Sequence, residues 1–498
     1  MIATFDTDQF KTAPFKHQID GVKHILAHPY AAIFDEMGVG KTKQVLDAGC
    51  VLFTHGVVDV LLIVVPASVK INYLDKDPKV GQIAAHVWAP YVSYAFHSKG
   101  LLKVHESTPR KPRLNIVVTN YEFIRNEKHA RNLLDVIKGH KVMIVADESL
   151  LIKHHTSNTF KMMYMLRQHC DRAYIMDGMG MAGTVLDLYA QFAFLNPKII
   201  GSSNWYTFRA HHCIMEKKGN FPVITGYKNI PELQAKIAPY VIRRKKEDCY
   251  DLPEKLFEIV AVPLSPPTWS IYCEMRDQMV AWLSDTSLTA AKNAGVRGMR
   301  LSQICSGILG GVEEDGYVKE PQVIGTEKVD AFMEWFNGQR QYGADLRFIV
   351  WSRFRKEREV LAAKLRAANV PVYEIYGGQK AEDRSVAISE FTSATRGGSA
   401  VLIGQPQAGG RGLNLTTAWN VVYLSNDFQL DVRLQSEDRA HRFGMKNQVT
   451  YYDFVATGPK GQNTVDLKIL KALKHKHDVN SFTTDAWRKL LMEDDQPF

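Results

Sequence analysis

The stretch "AAIFDEMGVGKTKQ", Ala31 to Gln44, decides the fold. A short apolar run ends at Phe34, a glycine-rich turn follows, and Lys41 and Thr42 then open a segment of helical character. Strand, turn and helix in that order make a phosphate cradle. Gly38 and Gly40 let backbone N–H groups approach a phosphate, and a helix N-terminus favours negative charge. Met37 and Val39 complete the loop. In such a cradle Lys41 reaches the β- and γ-phosphates of a nucleotide, and Thr42 offers its hydroxyl to Mg²⁺. The general pattern G-x-x-x-x-G-K-[ST] wants glycine at position 35, where this chain has Asp35. A fortuitous glycine-rich turn is the competing reading. The strand before it and the helix after it speak against that.

Similar apolar runs recur outward from this point. "VLLIVVP" (60–66), "LNIVVTN" (114–120), "KVMIVADE" (141–148) and "RAYIMD" (172–177) complete a first set. A second set holds "LRFIVWS" (346–352), "VPVYEIYG" (370–377), "AVLIGQ" (400–405), "WNVVYLSN" (419–426) and "QVTYYDFVA" (448–456). Buried parallel strands read as continuous apolar runs that end in polar turns. Their alternation with helical stretches predicts an α/β protein with two lobes, each a largely parallel sheet flanked by helices. A mostly helical region, 264–340, separates the sets, with a glycine-rich break at "SGILGGVEEDG". The expected division is a first lobe over 1–255, a helical linker or insertion over 256–340, and a second lobe over 341–498.

Bulk properties exclude some classes. The 498 residues are 45% hydrophobic and 23% charged, which suits a folded chain of more than one domain. A net charge of +9 permits a polyanionic partner without requiring one. Six scattered cysteines form no C-x-x-C, which suits a reducing compartment. The N-terminus lacks an apolar signal core, and the longest apolar run, "VVDVLLIVVP", is interrupted by Asp59 and too short to span a bilayer. A cytoplasmic protein without a membrane partner is expected.

Three further segments carry chemistry. In "KVMIVADE", Asp147 at a strand end would hold Mg²⁺, and Glu148 would polarise an attacking water. In "QSEDRAHRFG" (435–444), Arg439 and Arg442 lie three apart, on one face if the segment is helical, and can stabilise charge on a transferred phosphoryl group. "QAGGRGLNLT" (407–416) is a glycine-rich loop after an apolar strand. Weaker signals are His154–His155 and "HHC" (211–213), which lack a complementary ligand cluster. "RRKK" (243–246) tracks phosphates or is a solvated run. Trp205, Phe208 and Trp351 fit core packing better than base stacking.

Taken in order, these segments resemble the Snf2-type ATPases of helicase superfamily 2, over nearly the whole chain. "PFKHQIDGV" resembles the family's adenine-reading motif, with Gln18 in the key place, and "DEMGVGKT" its phosphate loop, Asp35 included. "VVPASVKINY" and "VVTNYEFIR" are similar to motifs Ia and Ib, which implies a nucleic-acid face carrying Ser68, Lys70, Thr119 and Asn120. "VIRRKKEDCYDLPEK" resembles the end of lobe one, and "RLSQICSG" the helix before lobe two. "FIVWSRF" resembles motif IV, "AGGRGLNLT" motif V and "QSEDRAHRFG" motif VI. The resemblance thereby implies Gly410 at the nucleotide, Arg353, Arg411 and Asn414 at nucleic acid, and Arg439 and Arg442 in catalysis. It further implies two RecA-like lobes and ATP with Mg²⁺ as cofactors. Double-stranded or branched DNA is the implied partner of a monomeric, compact core like viral and bacterial members. The implied activity is ATP-driven, helicase-like translocation on duplex DNA that remodels DNA or protein–DNA complexes.

Two stretches depart from the family. After Asp147 and Glu148 the family has a small residue and then His; here stand Ser149 and Leu150. Where motif III reads close to L-T-G-T-P, this chain has "MDGMG", Met176 to Gly180. Loss of hydroxyl and imidazole partners there should weaken the link between nucleotide state and lobe closure. Two further readings therefore stay open: a hydrolysis-impaired, nucleotide-gated DNA-binding scaffold, and an RNA helicase.

Overall fold

The computed structural model describes residues 5–474, apart from 79, 110, 179–183, 219–220, 286–290, 311–312, 315–316, 319, 341–345, 394–397, 410–414 and 446. The chain divides into two compact units, Met1–Asp251 and Leu252–Phe498. Among the described residues no helix is long and apolar enough to cross a membrane.

The first unit is built on one sheet. Its strands are β1 (Tyr30–Ile33), β2 (Val60–Val65), β3 (Tyr91–His97), β4 (Gly100–Glu106), β5 (Leu114–Asn120), β6 (Val142–Asp147) and β7 (Arg172–Met176). A separate hairpin follows, β8 (Cys213–Lys218) with β9 (Phe221–Tyr227), and β10 (Val241–Ile242) then returns to the sheet. The order is β10-β1-β7-β6-β2-β5-β3-β4, and every pairing is parallel except β3 with β4. β2 is buried along its whole length because apolar clusters cover both faces of the sheet, which is why it reads as an unbroken β-branched run. β3 and β4 escaped the sequence reading. β4 is an antiparallel edge strand, with Leu101 and Leu102 exposed, so it lacks that run.

Helices α1 (Lys16–Ala27) and α2 (Lys41–Thr54) flank β1. α2 is buried from Lys43 to Leu52, and the N-terminal segment straps it down. The Lys43 ammonium donates to the Thr12 carbonyl at 2.8 Å and to Asp47 at 2.7 Å, and lies over the Phe10 ring. The Thr12 hydroxyl meets His86 Nδ1 at 2.8 Å.

The second unit carries β11 (Lys255–Pro263), then two short pairs: β12 (Ile308–Leu309) with β15 (Gln322–Val323), and β13 (Glu313–Glu314) with β14 (Tyr317–Val318). Its main strands follow: β16 (Arg347–Trp351), β17 (Val372–Ile375), β18 (Ala400–Gly404), β19 (Asn420–Tyr423) and β20 (Val449–Thr457). The order β11-β20-β19-β16-β18-β17 is parallel throughout. Both units are therefore α/β, each with a mainly parallel sheet flanked by helices, as expected. The stretch 256–340, expected as helical, instead opens in a strand. β11 pairs with β20 from Lys255↔Val449 to Pro263↔Thr457. It is an edge strand, exposed at Leu256, Phe257 and Ile259, so helix and strand periods were hard to separate there. Helices Pro266–Asp285, Ala291–Cys305 and Glu327–Gln339 fill most of the remainder.

A buried arginine organises the β19–β20 end. Arg433 lies 3.6 Å over the Tyr423 ring and forks onto Asp453, which is fully buried, and onto Glu437 at 2.8 Å. Removing the cation strands a buried carboxylate. Arg433→Met is expected to lower the stability of the second unit by about 3 to 5 kcal/mol, measured from urea midpoints. A loss under about 1 kcal/mol, the level of a surface pair, would refute that organising role.

The strap makes a pH-dependent prediction. Burial, helped by Lys43 and Lys11, pushes the His86 imidazole down to about 4. The unfolded chain takes up this proton near pH 6.5 and the folded chain resists until about 4. The contribution is therefore complete above the unfolded value and lost as pH falls from 6.5 to 4. Burial also pushes Asp47 up to about 6, and that group moves the opposite way over much of the same range. The comparison is therefore between variant and parent. The difference in unfolding free energy between His86→Gln and the parent should change by about 3 kcal/mol between pH 7 and pH 4, in favour of the variant. A constant difference across that range would sink the assignment.

Candidate nucleotide site

Parallel order brings β1, β7 and β6 side by side, so their carboxyl ends share one edge, where α/β sheets bind ligands. The phosphate loop leaves β1 there. Gly38 and Gly40 have φ of 84° and 91°, a region that side chains resist. A Cβ on Gly40 would come within 2.3 Å of Gln18 Nε2, so the loop closes directly on Gln18. That amide accepts from the Phe15 N–H at 3.1 Å and donates to the Val39 carbonyl at 3.4 Å. Tyr250 donates to the carbonyls of Gly38 and Val39. The Lys41 ammonium donates to the Asp35 carbonyl at 2.8 Å and the Glu36 carbonyl at 3.3 Å.

Asp35 explains itself here. Its carboxylate is fully buried and is gripped by the Arg244 guanidinium, with Nε at 2.9 Å, while Gln44 on α2 donates to it at 3.0 Å. Arg244 also donates to Gln44 Oε1 at 2.8 Å and to the His17 carbonyl. Glycine at position 35 could not make this tether. "RRKK" is thus neither purely solvated nor purely a phosphate track: Arg244 and Lys246 turn inward, while Arg243 and Lys245 are exposed.

β6 delivers the carboxylates. The Tyr73 hydroxyl donates to Asp147 Oδ2 at 2.8 Å and lies 3.4 Å from the Thr42 hydroxyl, so it stands between the two expected Mg²⁺ ligands. Tyr121 donates to the Asp147 carbonyl at 2.7 Å. Burial and then the neighbouring Glu148 push the Asp147 carboxyl up to about 6, against the pull of Tyr73 and Lys41. Burial and these carboxylates drive both tyrosines well above their ordinary range. Glu148 has φ 54° and ψ 56°, left-handed for a residue with a Cβ, at a cost of about 1 to 2 kcal/mol. The following turn is pinned twice. Ser149 Oγ donates to Gln191 Oε1 at 2.6 Å, and the Leu150 N–H donates to Asp177 Oδ2 at 3.1 Å.

Sequence reasoning missed Tyr73, Tyr121, Gln191 and Arg244. Each acts across a long stretch of sequence, and only the uncompensated charge of Asp35 could have pointed to one of them. Met179 and Gly180 of "MDGMG" lie outside the described residues, as do Gly410, Arg411 and Asn414.

Two of the expected nucleic-acid contacts change. Thr119 is fully buried in β5, where its side chain cannot meet a partner, because that strand is covered on both faces. The Lys70 ammonium turns back to the Phe96 carbonyl at 2.9 Å, and burial lowers its pKa. Ser68 stays exposed, and Asn120 is partly exposed, its amide 3.1 Å from Glu122. In the second unit Arg353 stacks 4.1 Å over Phe428 and pairs with Asp427 at 3.9 Å. Helix Leu430–Glu437 ends before Arg439 and Arg442, so these do not share a helical face. Arg439 is buried beyond the helix, its carbonyl accepting from Leu415, and Arg442 is partly exposed. Phe208 and Trp351 are core residues, and Trp205 stacks on His155 at 4.2 Å. Among the described residues no three His, Cys, Asp or Glu side chains gather as a metal site.

A model of the SNF2-related domain matches residues 17–308, and one of the helicase conserved C-terminal domain matches 327–444. The chain belongs to the SNF2-related family. It is an Snf2-type member of helicase superfamily 2. Transcription regulatory protein SNF2 of Saccharomyces cerevisiae is 24% identical over 491 residues, which is 94% of this chain and 28% of that protein. The "Uncharacterized ATP-dependent helicase MG018" of Mycoplasma genitalium is 24% identical over 493 residues, 96% of this chain and 44% of that protein. This Snf2-type chain spans less than half the length of the curated relatives it matches. A solved Sulfolobus solfataricus SWI2/SNF2 ATPase core in complex with dsDNA aligns with a TM-score of 0.43 at 21% identity, covering 98% of this chain and 99% of that one.

The Asp35 tether is testable. Asp35→Gly restores the general loop pattern but leaves Arg244 without its carboxylate. The loss should be about 3 kcal/mol of stability, with weaker nucleotide binding. Thermal melts and titration with a fluorescent nucleotide check this. A melt unchanged within about 0.5 kcal/mol, as for an ordinary surface substitution, would refute the tether.

Proposed function

We propose that this chain is an ATP-driven motor that acts on double-stranded DNA. The observation that carries the reading is the line Thr42–Tyr73–Asp147, with Lys41 and Glu148 beside it at the carboxyl edge of adjacent parallel strands. Family membership supports it, and the Mycoplasma relative bears the name of an ATP-dependent helicase. Hydroxyl and carboxylate oxygens are the donors Mg²⁺ prefers, so Thr42 and Asp147 suit it. Bound there with the nucleotide, the ion would neutralise charge on the phosphates.

The chain's own residues do the rest. Lys41 exchanges the carbonyls of its loop for phosphate oxygens. Gln18, packed against Gly40, is proposed to read the base. Glu148 orients the attacking water and draws its proton. Arg439 and Arg442 keep a proposed role on the developing phosphoryl charge. Ser68, Asn120 and Arg353, with Arg411 and Asn414, are proposed to hold the DNA. Mostly backbone contacts would make affinity fall steeply with salt and show little sequence preference. On this reading the unit Met1–Asp251 is the nucleotide lobe and Leu252–Phe498 the second lobe, whose sheet includes β11 and whose core includes Val329, Phe332 and Phe336 from the stretch expected to be a linker.

Steady-state ATP hydrolysis with and without duplex DNA tests the motor. The parent should be stimulated by duplex DNA. Lys41→Ala should lose nucleotide affinity. Glu148→Gln should bind nucleotide yet turn over at least about 100-fold more slowly. If ATP binds through Lys41 but turnover with DNA stays at the level of the variants, the chain is a nucleotide-gated DNA clamp. Equal stimulation by structured RNA would move the substrate class.

A further inference from the structure

The two departures from the family, Leu150 and Asp177, meet in the structure. The Asp177 carboxylate is buried and accepts the backbone N–H of Leu150 at 3.1 Å. The contact uses the main chain at 150, so the leucine side chain's inability to hydrogen-bond does not break it. Asp177 is fixed in turn, because its own N–H donates to the Ile33 carbonyl at the end of β1, at 3.2 Å. The next residue touches the phosphate loop. A Cβ on Gly178 would lie 2.5 Å from Met37 Cγ and 3.6 Å from the Lys41 ammonium. One dipeptide thus reaches both the loop that holds Lys41 and the turn that carries Glu148.

Glu148 needs such a hold. A left-handed, non-glycine residue persists only where its surroundings over-determine it. On its N-terminal side Tyr121 grips the Asp147 carbonyl, and the Glu148 N–H folds back to Asp147 Oδ1 at 3.0 Å. On its C-terminal side the pins are Gln191 on Ser149 and Asp177 on Leu150. Helix Val185–Leu195 carries Gln191, whose amide donates to the Asp187 carbonyl at 3.0 Å.

We propose that Asp177 is a positioning residue: its carboxylate locks the Glu148 turn through the Leu150 N–H and ties that turn to the phosphate loop. This rests on the reading of Glu148 as the water-orienting base. It turns the two departures into one rebuilt contact, so the missing imidazole need not by itself leave hydrolysis impaired.

Two variants of the full chain test it. Asp177→Asn keeps an oxygen that can accept the Leu150 N–H; Asp177→Ala does not. Hydrogen–deuterium exchange over residues 146–153 reads the contact without any turnover. Exchange should quicken about tenfold or more in Asp177→Ala and stay near the parent in Asp177→Asn. ATP turnover should follow the same order. The alanine variant should lose kcat about tenfold or more with nucleotide affinity near the parent's, and asparagine should recover most of it. Parental exchange in the alanine variant overturns the proposal. So does asparagine exchanging as fast as alanine, which would make the charge, not the accepted N–H, the working part. If the parent itself hydrolyses no ATP while exchange behaves as expected, the motor reading fails and the lock stands.

Discussion

The buried ion pair between Asp35 and Arg244 is the contact on which the nucleotide edge depends. A fully buried carboxylate at the mouth of a phosphate loop is an expense that the fold must offset. Arg244 offsets it from just beyond β10, the strand that closes the sheet beside β1. The same guanidinium reaches Gln44 on α2 and the backbone of His17 on α1. It therefore joins the loop, the helix that follows it and the helix that precedes it. The space is shared closely: a Cβ on Gly21 would fall within 1.8 Å of Gln44 Oε1 and 3.0 Å of Arg244. The loop shape is thus held by a network assembled from four separate stretches of chain, rather than by its glycines alone.

What was legible in the sequence follows from burial. β2, β5, β6 and β7 lie in the covered middle of the sheet, and each stands within a residue of the apolar run that announced it. Of the strands that were not legible, β3 lies inside the sheet but is only partly buried, and β4, β10 and β11 are edges. β4 and β11 expose one flank and mix leucine with lysine or glutamate, and β10 is two residues long, held by its register with β1. The site divides the same way. Lys41, Thr42, Asp147 and Glu148 were legible because local geometry imposes their spacing. Tyr73 and Tyr121 were not, because nothing local marks a tyrosine whose hydroxyl will meet a carboxylate or carbonyl 74 or 26 residues away. Thr119 shows the opposite failure. A motif supplied its role, but β5 is covered on both faces and buries its side chain, while Asn120, at the strand's last position, is partly exposed.

The altered motifs carry a wider lesson about reading departures. Judged by side chains alone, the change removes a contact, because imidazole and hydroxyl give way to groups that differ in hydrogen-bonding power. Backbone groups are donors whatever the side chain, and a carboxylate reaches further than a threonine hydroxyl. Asp177 in place of threonine can therefore meet the main chain at 150, where leucine in place of histidine contributes only its N–H. The cost is electrostatic. Asp177 adds a third carboxylate to Asp147 and Glu148 around the Tyr121 ring, and all three help hold its phenol protonated. The Asp147 carboxyl is pushed up by burial and then by the neighbouring Glu148. The Lys41 ammonium inside the site acts against this. On the proposed reading, a divalent ion arriving with the nucleotide would relieve the same repulsion, so the crowding of carboxylates would favour the loaded site.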